Sequence, residues 1–577
     1  ALAPEMEQLA HPTYNDLFIE TAPFGEMGLT AVRHARSPEE RPVRLYHLLA
    51  QPAEAAVFAE TDRCAFLGRN GSPWQPQALR QAAHQGVFGT PVHPCAALRC
   101  QVTLHGLGRI QLVFVTHCTR EEALLPPDAL TLDSPKLAQC LDMARLRQQV
   151  LLDSLGIPAA ELPLLTHMTG AVQWLHQPHQ GVSSPVALPR EALHELGLTD
   201  ELPLLTVLLS REDSALRTLA LHFAALQRSQ GMPVLLALVA LEDTQGSVYA
   251  AAKAALASSP LRDQLGHGVA LLCRGELTPQ QGALMHAASS LSLDERLGPI
   301  QAQLDSLRQV LTPTPMVPPP LAAALVPEPA LVLPNGFGGF LPDGSGYQID
   351  LPVGLETPAP WCNYLHQPGF GTLCSESGLL FTHGDNSHLH RLTPWVNDPV
   401  TPLGGEYVLL EDCATGRFLS PTRLPLGQRL ACHITHTPGV TTYATENELL
   451  SLQWVCFTDA EADAGCRQLR VRSRGDAPLR LRLHVCMRFV LGTDRRAEPF
   501  TCVTPLPGLA LAVNPAWPVL AFAAPLNEGV EINRLSPSAL QGLWGMEPWG
   551  LHPPAERGPQ DAEPALRGAT DRGNVAV

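Results

Sequence analysis

Eight prolines fall between Thr312 and Pro334, in "TPTPMVPPPLAAALVPEPALVLP". Proline fixes φ and removes a backbone donor, so neither a helix nor a central strand runs through such a stretch. It reads as a semi-rigid, polyproline-like connector. The chain must therefore fold as separate bodies on either side of it. A length of 577 residues agrees, because one hydrophobic core cannot serve so long a chain and about three or four domains are expected.

Before the connector, residues 1–120 carry short or alternating apolar runs, "VRLYHLL", "LRCQVTLHG" and "IQLVFVTH", bounded by Gly and Pro as strands are. The polar, Gly-punctuated "ETDRCAFLGRNGSPW" at 60–74 reads as a loop or strand edge. From 134 the period becomes helical, with a Ser-Pro start. Residues 203–311 then alternate: strand "PLLTVLLS", a helix closing at Gly231, strand "MPVLLALVAL", a second helix, strand "GVALLCR", and helices predicted at 278–290 and 294–311. That order predicts a small layered α/β unit with parallel strands. Its turns hold no Gly-rich phosphate cradle, so a scaffold is expected. After the connector, "YVLLED", "LLSLQWVCF", "RQLRVRS" and "LRLRLHVCMRFVL" return to strand composition, as in a sandwich. Beyond about 525 the chain is too polar and Pro/Gly-rich to bury a core, and disorder is expected.

Charge and cysteine usage narrow the function classes. A net charge of −16 argues against nucleic acid or an anionic membrane as partner. The longest apolar stretches, such as "PVLLALVAL" at 233–241, are about half of a membrane span. The 14 cysteines include no C-x-x-C pair, so neither a zinc ribbon nor a thioredoxin motif is supported, and reduced thiols in a cytoplasm are expected.

Four strings after the connector carry a resemblance: "NGFGGFLPDGSGYQI" (335–349), "TPAPWCNYLHQPGFGTLCSESG" (357–378), "NSHLHRLTPWVNDPV" (386–400) and "GEYVLLEDCATGRFLSPT" (405–422). Together they resemble the β-supersandwich domain of glycoside hydrolase family 94, in the version found in cyclic β-1,2-glucan synthases. "HPTYNDLFIETA", "ARSPEERPVRLYHLLA" and "FAETDRCAFLGRNGSPWQPQALR" resemble the rear portion of an earlier supersandwich of those synthases. The resemblance implies a mixed β and α/β fold: antiparallel supersandwich segments flanking a small α/β scaffold, with a disordered C-terminal tail. Its parts would be a rear supersandwich portion at 1–125, a helical and α/β scaffold at 130–311, the connector at 312–334, a front supersandwich portion at 335–525 and a degenerate tail at 526–577. One expectation is that the rear and front portions pair into a composite sandwich.

In that family an (α/α)6 barrel holds the general acid, and no twelve-helix pattern follows residue 525. No catalytic residue is therefore carried over. Where the family loop reads N-S-R-E-N-R-L-T-P-W, this chain has His388 and His390.

Trp361 and Trp395 sit in Pro-flanked loops, and an indole covers the C–H face of a sugar well. With Asn363, Glu376, Asn386, Arg391, Asn397 and Asp398 they form the candidate carbohydrate-facing surface. The alternative is that the tryptophans plug the sandwich core while the polar groups tie down loop backbone. Arg391 would contact a phosphate or hydroxyl, or pair with Asp398 or Glu406. His388 and His390 would share a face if they lay in a strand, but no ligand at a diagnostic spacing accompanies them, and neither metal nor cofactor is expected. "DAEAD" at 459–463 reads as a solvated turn, and "CSESG" around Ser375 lacks the nucleophile-elbow context.

The expected function is the carbohydrate-positioning portion of a cyclic β-1,2-glucan synthase-like protein, binding a β-glucan and bracing the barrel or other parts of its parent. A stand-alone binding module and a decayed fragment are the alternatives. A cytoplasmic site is expected, with inner-membrane association of the parent left open.

Overall fold

The computed structural model describes residues 12–174, 188–309 and 330–526 apart from short internal gaps, together with 534–535 and 575–576. Most of the connector and of the tail thus lie outside the described residues. The chain divides into two compact units.

One unit comprises residues 1–147 with two loops of the later chain, Glu356–Ala359 and Val396–Pro402. Strands Ile19–Phe24, Gly28–Arg33, Val43–Leu49 and Phe114–Thr119 make an antiparallel sheet in that order. Alternation turns Tyr46 and Leu48 inward, where they meet Phe24 and Ala50. Strands Ala56–Asp62 and Pro94–Gln101 form a separate pair. The polar stretch after Asp62, read as loop, instead starts with a short helix, Arg63–Leu67. Asp62 makes the difference: its carboxylate accepts the N–H groups of Cys64 and Ala65 as an N-cap.

The other unit holds both the α/β layer and the later β region. Strands Ser289–Asp294, Leu204–Leu209, Leu235–Ala240 and Val269–Cys273 lie side by side, all parallel. Helices cover both faces. Leu205, Val207, Leu236 and Leu238 pack on one side with Phe223 and Met168, while Leu204, Leu235 and Val239 pack on the other with Leu284 and Met285. Helix Ala215–Ser229 begins where Ser214 accepts the N–H of Arg217 at 3.0 Å. It ends at Gly231, whose φ of +76° allows Met232 N–H to reach Gln227 at 2.9 Å. The helix expected at 278–290 is Pro279–Ala288, but the unexpected strand Ser289–Asp294 follows it, with Leu291 and Leu293 fully buried at a spacing of two, and the helix expected at 294–311 starts only at Ile300 and is described to Gln309.

The β region contains a six-stranded antiparallel sheet, Gly338–Phe340, Tyr347–Leu351, Cys432–Thr437, Val440–Glu446, Leu450–Thr458 and Gly465–Ser473. A three-stranded sheet, Cys362–Gln367, Phe370–Ser375 and Leu380–His383, shares one core with it and with strand Glu406–Asp412. Ile349, Leu365, Val408, Ile434, Tyr443 and Trp454 all belong to that core. Many antiparallel sheets plus a helical layer are the architecture expected of the chain. Among the described residues no β-sheet takes strands from both 1–125 and 335–525, although one sheet adds Arg534–Leu535 and Val575–Ala576 of the tail to Arg417–Leu419, Glu406–Asp412 and Leu481–Arg488. The expected composite sandwich is thus not built by shared strands; the N-terminal unit takes two loops of the later segment instead.

Candidate functional site

Strand Cys362–Gln367 sends Leu365 into the core and Tyr364 and His366 outward. Across the three-stranded sheet His366 lies opposite Gly371, and Gly371 opposite His383. A Cβ on Gly371 would stand 2.5 Å from His383 Nε2 and 2.7 Å from the Tyr364 hydroxyl. Glycine is what leaves room for the 2.7 Å bond between those two groups. His383 Nδ1 contacts the Gly384 carbonyl oxygen, which only accepts. The proton therefore sits on Nδ1, and Nε2 accepts from the tyrosine O–H. Burial lowers the pKa of His383, which favours this neutral ring.

The rings continue from there. Tyr364 stacks on His366 at 5.2 Å and 23°, and on His383 at 5.8 Å and 18°. His383 meets Phe381 at 5.7 Å, and Phe381 meets Trp395 at 5.2 Å. Tyr364 is 48% exposed, whereas Phe381 and His383 are buried. His366 is exposed and Trp395 half-buried. Spacing of two in "CNYLHQ" is the sequence signal for this face.

The eight candidate residues fare differently. Trp361 is half-buried against the sandwich core, edge-on to Phe337 at 5.6 Å and Tyr347 at 6.1 Å. Glu376 has no exposure and exchanges two hydrogen bonds with the Trp361 backbone, accepting its N–H at 2.8 Å and donating to its carbonyl at 3.0 Å. Asn363 donates its amide to the carbonyls of Thr437 and Val440 and the hydroxyl of Thr441 at 2.9, 3.1 and 3.0 Å. Glu376 and Asn363 thus tie down the loops with these hydrogen bonds.

Asn386 is exposed, and its Oδ1 accepts the N–H groups of His388 and Leu389 at 2.9 and 2.8 Å, an Asx turn. Arg391 donates from Nε to the Ser387 carbonyl at 3.4 Å. The ion-pair partners considered for it are engaged elsewhere: Asp398 with Arg63 at 2.7 Å, Glu406 with Arg467 at 3.0 Å. Asn386, Arg391 and Trp395 lie on the segment leaving strand Leu380–His383. Asn397, exposed, and Asp398, half-buried, fall in the other unit. His388 and His390 lie in a turn, not a strand, so they do not share a strand face. Among the described residues no group of three or more His, Cys, Asp or Glu side chains could hold a metal ion.

Within the N-terminal unit the string "ETDRCAFLGRN" is a clamp. The carboxylate of buried Glu60 accepts the N–H groups of Thr61, Asp62, Gly86 and Val87 at 2.9 to 3.3 Å. Arg63 holds Asp398. Arg69 donates to the carbonyls of Thr357, at 3.1 Å, and Pro399. Asn70 donates to Glu356 at 3.0 Å. These residues secure the two loops that the unit takes from the later chain.

The family model of the glycosyl hydrolase 94 supersandwich domain matches residues 1–126 and 345–506. The chain is 25% identical over 532 residues to the cyclic beta-(1,2)-glucan synthase NdvB of Rhizobium meliloti (strain 1021). That match covers 86% of this chain and 19% of the relative, so the chain spans about a fifth of the relative's length. No helix among the described residues is long and apolar enough to cross a membrane. Apart from residues 335–344, the strings read as supersandwich lie inside the matched stretches, and over residues 1–126 and 345–506 the chain belongs to the glycosyl hydrolase 94 supersandwich family.

Proposed function

We propose that this chain is the carbohydrate-holding portion of a protein like the cyclic β-1,2-glucan synthases, and that by itself it neither cuts nor forms glycosidic bonds. The observation that carries the reading is Trp395. Its indole is half-buried and braced by Phe381 at 5.2 Å, on a segment that also presents the exposed amide of Asn386 and the guanidinium of Arg391. A braced indole offers an apolar face to pyranose C–H groups at little entropic cost, while amide and guanidinium donors reach the hydroxyls. The sandwich core beneath keeps these groups in place.

The parent partners in this reading are a β-glucan chain and the catalytic domain it feeds. Titration with β-1,2-gluco-oligosaccharides, wild type against Trp395→Ala, tests the assignment. A loss of affinity of about fivefold to tenfold is expected from one lost ring contact. Unchanged affinity would assign Trp395 to packing alone.

A further inference from the structure

We infer that the outer face of strand Cys362–Gln367, headed by Tyr364 and His366, is a second saccharide-stacking platform, taking neutral glucan rings. The inference deepens the reading above and rests on it. Tyr364 and His366 stack on each other, 23° apart with centroids at 5.2 Å, and both are exposed. Exposed rings that brace each other by stacking keep their open faces in place, so a ring ligand stacks on them without induced rearrangement.

Two features fix the platform. Gly371 lets the tyrosine hydroxyl reach His383 Nε2, and His383 is held in turn by the Gly384 carbonyl. The tyrosine proton points at histidine, so its oxygen lone pairs remain to accept from a sugar hydroxyl. Through His383 and Phe381 the platform connects to Trp395 by successive ring contacts.

Flat aromatic faces also stack nucleobases, and the surrounding charge decides between the two. Gln367, next along the strand, donates to the Ala462 carbonyl and to Asp463 Oδ1, at 3.4 Å for the latter. The acidic turn of half-buried Asp459 and exposed Glu461 and Asp463 therefore lies at the hairpin end of that strand. Its carboxylates repel a phosphate backbone and accept hydrogen bonds from a polyol. A neutral glucan fits; a polyanion does not.

Calorimetric titration of the full chain with a β-1,2-gluco-oligosaccharide, and separately with an oligothymidylate, tests this. Tyr364→Ala is expected to weaken sugar binding about tenfold, and Tyr364→Phe, which keeps the ring and loses the oxygen, about threefold. His366→Ala, on an exposed ring outside the histidine bond, provides the same test if Tyr364→Ala fails to fold; a drop of about threefold or more is expected. Sugar binding that weakens in Trp395→Ala but not in the Tyr364 or His366 variants would overturn the platform and leave the carbohydrate reading standing. Binding of oligothymidylate that Tyr364→Ala abolishes would overturn the platform's ligand assignment. No sugar binding by the wild type would overturn both.

Discussion

Glu406 and Arg467 bury an ion pair at 3.0 Å beneath the three-stranded sheet, with Thr372 and Thr382 completing its hydrogen bonds. A buried pair of this kind is weak evidence of stabilisation, but losing one partner leaves a charge without its counterion. Glu406→Gln should therefore cost about 3–5 kcal/mol in denaturant unfolding, while Glu406→Leu with Arg467→Met should recover most of it. A cost below about 1 kcal/mol for the single change would show that the pair is hydrated. Gly371→Ala is a second test at this scale. The added methyl must displace His383 or Tyr364, for about 1–3 kcal/mol of overpacking, and should weaken oligosaccharide affinity with it. Wild-type stability and affinity in that variant would contradict the geometry described for the tyrosine–histidine bond.

Among elements, the loops Glu356–Ala359 and Val396–Pro402 depend on residues about 290 to 330 positions earlier in the chain. Arg69→Met removes two carbonyl contacts and Arg63→Met the ion pair with Asp398. Each should speed hydrogen exchange of the Val400 N–H, held by Asp398 Oδ1 at 2.9 Å, by about tenfold. Unchanged exchange would mean that the loop holds itself. Much of the element order was legible in the sequence. "VRLYHLL" is a strand to the residue, because its alternation and flanking prolines leave little choice. Strand Ser289–Asp294 was missed because helix Pro279–Ala288 runs straight into it with no Gly or Pro between. The site was less legible than the fold. Asn363 and Glu376 have the composition of a sugar-binding surface, yet composition does not reveal that their partners are backbone groups. Tyr364 and His366 carried a signal in their spacing of two, but the signal becomes a platform only once Gly371 and His383 are opposite.

For the whole molecule, buried histidines set the response to acid. His383, His436 and His484 all have pKa values lowered from an ordinary 6.5, burial being the largest cause. Each binds a proton less readily folded than unfolded, so the unfolded chain takes up more protons as pH falls. Stability should be fully present above about pH 6.5 and decline below it. Their neighbours temper this: Glu411 opposes the shift at His484 and Glu376 at His436, and Arg482 reinforces it at His484. Thermal unfolding at pH 7.5 and 5.5 should show the lower midpoint at pH 5.5; an equal or higher one would contradict the assignment of these rings as neutral.

The central claim is that this chain holds a glucan. Tryptophan emission of the intact protein, followed through a titration with β-1,2-gluco-oligosaccharides at neutral pH, tests it directly. The account predicts a saturable change, with no sugar phosphate or new glycosidic product formed when phosphate is supplied. A folded chain whose emission and heat of mixing stay flat to millimolar sugar would contradict it.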